Sequence, residues 1–170
     1  MITKLLLVGM MGSGKSSVGA ALSTKLGWPY LDNDVLLERT AGASARALLD
    51  NQGEVALRQA ESQVLTLLLG MPGPVIGSVA AGVVLDEKDR LRLVQSPAHV
   101  VWLRASPQAL VRRVNGSDRP WLGEDPAAVL RRLGAERNGF FAEVADQVVD
   151  VDVIPVGAIA KAIIETLGPG

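Results

Sequence analysis

VGMMGSGKSS, residues Val8 to Ser17, is the most informative stretch of this chain of 170 residues. It follows the apolar run Leu5 to Leu7 and precedes a helical pattern, so a strand is expected to turn into a helix here. Gly9 to Ser16 match the pattern G-x-x-x-x-G-K-[ST] completely, in the strand-to-helix context that the pattern requires. The stretch therefore predicts a phosphate-binding loop, with an ordinary glycine-rich turn as the alternative.

The residue types in this loop suit a nucleoside triphosphate. Glycines let the backbone fold tightly, so that successive N–H groups point at a polyphosphate, and the next helix adds its positive N-terminal end. The Lys15 ammonium would neutralise the β- and γ-phosphates, and the Ser16 hydroxyl would ligate Mg²⁺. The residues expected to bind nucleotide are Gly12, Ser13, Gly14, Lys15, Ser16 and Ser17.

Composition and charge exclude several classes of function. With 48% hydrophobic and 21% charged residues, the chain is expected to form one globular domain over 1–170. Its net charge of −1 gives no basic excess for nucleic acid or anionic lipid, and the absence of cysteine excludes thiolate catalysis and disulfides. Because no apolar run is long enough to cross a bilayer, we expect a cytoplasmic protein.

Apolar runs of strand length alternate with helical patterns along the chain. This alternation predicts a parallel sheet covered by helices on both faces. Helix starts are indicated at Ser106-Pro107 and Asp125-Pro126, where a capping side chain precedes proline. The expected strands are Lys4 to Val8, Pro29 to Leu31, Val75 to Ser78, His99 to Leu103 and Val148 to Val153.

Two acids follow the second expected strand. Asp32 and Asp34 should face the same crevice as the phosphate-binding loop, because ligands gather at the carboxyl ends of parallel strands. One carboxylate can hold a metal-bound water while the other accepts a proton from a substrate hydroxyl. The alternative for Asp32 is a purely structural role as the N-cap of the next helix.

Arg58 and Glu61 are three residues apart, so they share one face of a helix. A guanidinium oriented by this carboxylate would suit a substrate carboxylate, whereas the alternative is a solvated surface pair. His99, the single histidine, lies in an apolar strand and is interpreted as structural.

Five motifs occur in the order and spacing of the shikimate kinases, which the chain resembles from end to end. They are GMMGSGKSS (Gly9 to Ser17), LDNDVLLE (Leu31 to Glu38), GEVALRQAE (Gly53 to Glu61), RPWL (Arg119 to Leu122) and RNGFF (Arg137 to Phe141). The resemblance implies a three-layer α/β/α P-loop kinase fold with a five-stranded parallel sheet. It also implies a substrate-binding helical region at about 32–62, a mobile lid at about 113–125, and ATP-dependent phosphorylation of the shikimate 3-hydroxyl.

The resemblance also implies roles for single residues. Asp34 would bind ring hydroxyls and help to deprotonate the nucleophile, while Arg58 and Arg137 would clamp the substrate carboxylate. Asp32 would support Mg²⁺ through water alongside Ser16.

Two further arginines and one proline match positions that lie near the nucleotide in the family. Arg119 would swing over the phosphates and join Lys15 and Asp34 as a catalytic residue, and Arg113 and Pro155 would flank the adenine.

The chain departs from the family pattern after the third strand. Val79, Ala80 and Ala81 occupy the positions of a Gly-Gly-Gly whose backbone approaches shikimate, so Ala80 is the expected acceptor contact, and Phe141 replaces a common tyrosine. Three hypotheses stay open: a shikimate kinase, a kinase of the same fold for another polyol, sugar acid or cyclitol, and a nucleotide-binding relative without turnover. The expected partner of the kinase is a small-molecule substrate, and the chain is expected to be a monomer.

Overall fold

The computed structural model describes residues 1–114 and 125–168 of the chain. Arg119 and Trp121, with most of the predicted lid, lie outside the described residues. The strands are β1 (Lys4–Val8), β2 (Tyr30–Leu31), β3 (Val75–Ser78), β4 (His99–Arg104) and β5 (Gln147–Asp150). The helices are α1 (Lys15–Leu26), α2 (Asn33–Ala41), α3 (Ala45–Gly70), α4 (Glu87–Gln95), α5 (Pro107–Val114), α6 (Pro126–Val144) and α7 (Val156–Thr166).

The strands form one parallel sheet in the order β2-β3-β1-β4-β5. Strand β1 lies at the centre, and its leucines are completely buried because successive side chains enter opposite faces of a covered sheet. Leu6 packs into a core with α3 and α6, whereas Leu5 and Leu7 pack into a second core with α1 and α7. The predicted three-layer α/β/α fold is therefore confirmed.

The strand limits agree closely with those expected from the apolar runs. β1 and β3 begin and end where predicted, β2 lacks Pro29, and β4 extends to Arg104. The largest difference is at β5, which begins one residue earlier and ends at Asp150 rather than Val153. The chain leaves the sheet there because the Asp152 side chain turns to accept a 2.8 Å hydrogen bond from the Ser106 backbone N–H.

The two predicted helix starts are also confirmed. Helices α5 and α6 begin at the prolines that follow Ser106 and Asp125. The Ser106 hydroxyl accepts from the Ala109 N–H at 3.2 Å, and the Asp125 carboxylate accepts from the Ala128 N–H at 3.0 Å.

Helix α3 bends sharply at Gly53, where φ is 84° and ψ is 175°. Such a conformation is essentially restricted to glycine, so the bend is encoded by this residue. Beyond the bend, Val64, Leu65 and Leu68 are buried against the sheet. Their packing fixes which face of α3 turns toward the carboxyl edge of the sheet.

No helix in the described ranges combines the length and the apolar character needed to cross a membrane.

Candidate active site

The phosphate-binding loop has the tightly folded backbone that its glycines predict. Gly9, Gly12 and Gly14 have φ values of 146°, 79° and 97°, in the range that side chains disfavour. Space is also short, since a Cβ on Gly9 would lie 2.7 Å from the Leu103 carbonyl oxygen. The loop is therefore a preformed turn around the end of β1.

Helix α1 begins without a side-chain cap. Its N-cap is Gly14, no side chain accepts from its first N–H groups, and no acid lies in its first turn. By contrast, α2, α3, α4 and α6 all begin with a capping side chain. Uncapped N–H groups at the positive end of a helix suit an anion, so the start of α1 fits a polyphosphate.

Lys15 lies across this loop. Its Nζ donates to the Gly9 carbonyl at 2.7 Å and to the Met10 carbonyl at 3.0 Å. The ammonium is thus held at the mouth of the loop, beside the helix end that fits phosphate.

Asp32 caps helix α2 and also contacts the phosphate-binding loop. Its Oδ1 accepts from the Asp34 backbone N–H at 2.9 Å and caps α2, which confirms the N-cap interpretation. Its Oδ2 accepts from the Ser16 hydroxyl at 2.7 Å and from the Tyr30 hydroxyl at 2.9 Å. Burial opposes ionisation, but the hydrogen bonds from Ser16, Asp34 and Tyr30 outweigh it and lower the pKa of Asp32.

Ser16 and Asp32 fit a magnesium site. A hydroxyl and an ionised carboxylate in direct contact are hard oxygen ligands of the kind Mg²⁺ takes in nucleotide enzymes. The part of the chain described by the structure contains no cluster of three or more His, Cys, Asp or Glu that could hold a metal alone. This suits Mg²⁺, which keeps several waters and uses substrate phosphates as ligands.

Tyr30 is a site residue that the sequence reasoning missed. Burial, followed by the charge of Asp32, raises its pKa to about 12, while neighbouring Ser78 and Ser16 hydroxyls oppose the shift. Its ring lies against α1 so closely that a Cβ on Gly19 would be 2.2 Å from a ring carbon. The available signal was spacing, because residues two apart in a strand point to the same side, and Tyr30 precedes Asp32 by two.

The Arg58 and Glu61 pair is not a solvated surface pair. Glu61 is only 7% exposed, and its Oε2 accepts from Arg58 Nη1 at 2.7 Å. Burial raises the pKa of Glu61, and the charge of Asp34 adds to this effect while Arg58 and Arg137 oppose it. These four groups are therefore electrostatic neighbours at one end of the sheet.

Arg137 is buried, with 6% exposure, although its sequence context resembled a solvated helix face. Burial and the nearby charge of Arg58 both lower the pKa of Arg137. Within the described part of the chain, the Nε atoms of both arginines are buried and have no hydrogen-bond partner. Two neighbouring cations, each with a buried and unused Nε–H, define a place for an anion.

The Val79 to Ala81 segment adopts an ordinary backbone conformation. Throughout residues 1–114 and 125–168, no residue other than glycine has a positive φ, so valine and alanine carry no backbone strain here. Val79 is buried in the core, and its N–H extends the sheet by donating to the Leu7 carbonyl at 2.9 Å. The Ala80 carbonyl starts a 3₁₀ turn (Val83–Leu85) by accepting from the Val83 N–H at 3.1 Å.

Arg113 connects the loop to the far side of the sheet. Its Nη1 lies 3.3 Å from the carbonyls of Gly12 and Ser13, and its Nη2 donates to the Val151 carbonyl at 2.5 Å. Pro155 forms the N-cap of α7, a few residues beyond Val151. Arg113 and Pro155 thus lie on the β4 and β5 side. Asp34 and Arg58 lie on helices that follow β2, and Arg137 lies on α6, which packs against α4 and the 3₁₀ turn after β3.

The remaining predictions concern Phe141 and also His99, which begins β4 at the opposite edge of the sheet. Phe141 is fully buried and stacks on Trp102 with ring centroids 5.8 Å apart. His99 lies 3.2 Å from the Gln147 side chain, between neighbouring strands, which agrees with its structural interpretation.

A phosphate-binding loop at the carboxyl edge of a parallel sheet, with an acid and two guanidinium groups on neighbouring elements, defines a P-loop small-molecule kinase. The shikimate kinase family model matches residues 11–168. A shikimate kinase from Nitrobacter winogradskyi is 38% identical over 88% of this chain and 70% of its own length. One from Pseudomonas aeruginosa is 34% identical over 98% of this chain and 96% of its own length.

A solved structure of a shikimate kinase has the same fold. Shikimate kinase from Acinetobacter baumannii, in complex with shikimate, superposes with a TM-score of 0.91 at 29% identity, over 98% of this chain and 93% of that one. The chain belongs to the shikimate kinase family. It is a kinase that transfers phosphate to an alcohol, with ATP and Mg²⁺ as its cofactors.

Proposed function

We propose that this chain transfers the γ-phosphoryl group of ATP to the 3-hydroxyl of shikimate. The observation that carries the proposal is the pair of guanidinium groups of Arg58 and Arg137, each with a buried Nε that has no partner among the described residues. Together with the carboxylate of Asp34, they are complementary to a ring that bears both a carboxylate and hydroxyl groups.

The residues divide the chemistry between them. Asp34 accepts the proton of the acceptor hydroxyl, whose oxygen bonds to the γ-phosphorus as the bond to the bridging oxygen of ADP breaks. Arg58 and Arg137 hold the ring carboxylate, so that the hydroxyl faces the triphosphate. Lys15 offsets negative charge at the mouth of the loop.

Ser16 and Asp32 would hold Mg²⁺, because they are the hydroxyl and carboxylate in contact beside the loop. When bound, the ion neutralises charge on the phosphate oxygens.

Other assignments in this proposal rest on the family pattern. They are the single domain over 1–170, the acceptor-binding region at about 32–62, the lid at about 113–125 with Arg119, the acceptor contact at Ala80, and the adenine contacts of Arg113 and Pro155. The hydrogen bonds from Arg113 to the loop and to Val151 support its place on the nucleotide side.

The direct test is release of ADP that depends on shikimate, measured on the purified chain with ATP and Mg²⁺. We expect turnover, and we expect Arg137→Met to raise the KM for shikimate by about tenfold or more, the cost of one charge-assisted hydrogen bond. Arg131→Met, an exposed arginine on the same helix, is the matched control. Equal KM values in the two variants would contradict the carboxylate clamp.

A second acceptor class is favoured by the methyl groups of Val79, Ala80 and Ala81, where the family has glycines. Another polyol, sugar acid or cyclitol would then be phosphorylated instead. A substrate panel separates the two, since turnover of another polyol without turnover of shikimate rejects the first proposal. Tight ATP binding with no product from any acceptor would indicate a nucleotide-binding relative without turnover.

We also propose that the chain works as a monomer in the cytoplasm, without a nucleic-acid partner. Its net charge of −1 supports the last point, because phosphate backbones select a basic surface.

A further inference from the structure

Gly82 is a glycine that the backbone does not require. Its φ of −78° and ψ of −17° are open to any residue, and it directly precedes the 3₁₀ turn. Space is what excludes a side chain, because a Cβ here would lie 1.7 Å from Nη1 of Arg58 and 2.4 Å from its Cζ. The guanidinium of Arg58 therefore lies directly on the Gly82 Cα.

The same guanidinium is fixed on its other edges. Its Nη1 donates to the largely buried Glu61 at 2.7 Å, and its Nη2 lies 3.3 Å from Glu54. This leaves Nε, which is buried and has no partner among the described residues. The position of Gly82 thus helps to determine where the buried, unpartnered Nε–H of Arg58 lies.

We propose that Gly82 is a specificity-determining residue, which sets the affinity for the carboxylate of the acceptor by fixing the position of the Arg58 guanidinium. The inference rests on the proposed function of Arg58 as half of the carboxylate clamp. It follows from the geometry that any larger residue at 82 must displace this guanidinium.

The segment that precedes Gly82 makes this position unusual. Val79, Ala80 and Ala81 all carry side chains. The next residue, Gly82, has none, and it is the residue that lies against the Arg58 guanidinium. The atoms that meet the new Cβ belong to the ends of two flexible side chains, Arg58 and Glu61, so the backbone itself need not move. Gly82→Ala is therefore expected to separate function from stability.

The test compares Gly82→Ala with Gly157→Ala, whose new Cβ would have nothing within 4 Å. We expect Gly82→Ala to raise the KM for shikimate about tenfold, as for loss of one charge-assisted hydrogen bond, and to change the KM for ATP less than about twofold. Gly157→Ala should leave both KM values unchanged. Thermal unfolding of both variants confirms that they are folded.

A crystal structure of Gly82→Ala makes the test independent of the acceptor. A displaced guanidinium together with a raised acceptor KM supports the inference. A guanidinium that stays in place overturns it whatever the acceptor is, and so does an unchanged KM. Failure of the wild-type chain to turn over shikimate instead rejects the proposed function, and the KM comparison is then made with the acceptor found in the substrate panel.

Discussion

Asp34 is the residue on which proton transfer in the proposed reaction depends. It stands one residue into α2, tied through its backbone N–H to Asp32, which contacts Ser16 at the phosphate-binding loop. We expect Asp34→Asn to lower kcat by about 10²- to 10⁴-fold, because an amide cannot accept the proton of the acceptor hydroxyl. Steady-state kinetics with shikimate and ATP measure this loss.

Glu38→Gln is the matched control for Asp34→Asn. Glu38 is an exposed carboxylate one turn further along α2, and its side chain has no place in the proposed site. Near-normal turnover in Asp34→Asn, or an equal loss in both variants, would show that Asp34 is not the base.

Tyr30 gives the second test at the residue scale, because it is the only tyrosine in the chain. Burial, with the charge of Asp32, raises its pKa to about 12, above the unfolded value of about 10. The folded state therefore keeps this proton longer than the unfolded state does. Its contribution to stability is complete below about pH 10 and is lost as the pH rises toward 12.

Absorbance of tyrosinate measures this titration directly. We expect little tyrosinate in the folded chain near pH 10, and ordinary titration in denaturant. Between about pH 10 and 12, the free energy of unfolding should decrease less in Tyr30→Phe than in the unsubstituted chain. Titration of the folded chain near pH 10 would mean that the hydroxyl is not held at Asp32.

At the scale of elements, the bend of α3 is what gives Arg58 and Glu61 their direction. Gly53 and Gly139 form a matched pair, because a Cβ on either glycine would have no neighbour within 4 Å. They differ in backbone conformation, since only Gly53, at the bend, has a positive φ. We expect Gly53→Ala to lower the free energy of unfolding by about 1–3 kcal/mol through backbone strain. Gly139→Ala should raise it by up to about 1 kcal/mol, as alanine favours a helix.

Urea unfolding of both variants measures whether each substitution lowers or raises the free energy of unfolding. Gly53→Ala should also raise the KM for shikimate, because the segment that carries Arg58 changes direction. If both substitutions stabilise the chain, the bend is not encoded at Gly53.

The elements were largely predictable, because hydrophobic periodicity and capping residues are local signals. β1 and β3 have their predicted limits, and α5 and α6 begin at the predicted prolines. The site was predictable only where a motif fixes the chemistry, as at Lys15 and Ser16. The burial of Arg137 and the contact of Arg58 with Gly82 depend on segments distant in sequence, so no local pattern encodes them.

At the scale of the whole molecule, the strand order separates the two proposed binding regions. The acceptor residues follow β2 and β3 or lie on helices packed beside them, whereas Arg113 and Pro155 lie on the side of β4 and β5. β1, with its loop, stands between these regions. Contacts with the two ligands are therefore expected to be separable by mutation.

Ligand-induced thermal stabilisation tests this separation. A ligand at about 100 times its Kd stabilises the folded state by about 2.7 kcal/mol, so both ATP with Mg²⁺ and shikimate should raise the Tm. If Arg137→Met weakens shikimate binding tenfold, the stabilisation by shikimate should fall by about half, to about 1.4 kcal/mol, while the stabilisation by nucleotide stays. Arg113→Met should show the reverse, and the exposed Arg131→Met should keep both. If each arginine variant lost both shifts together, the sheet would not divide the site in this way, and the two ligands would share one set of contacts.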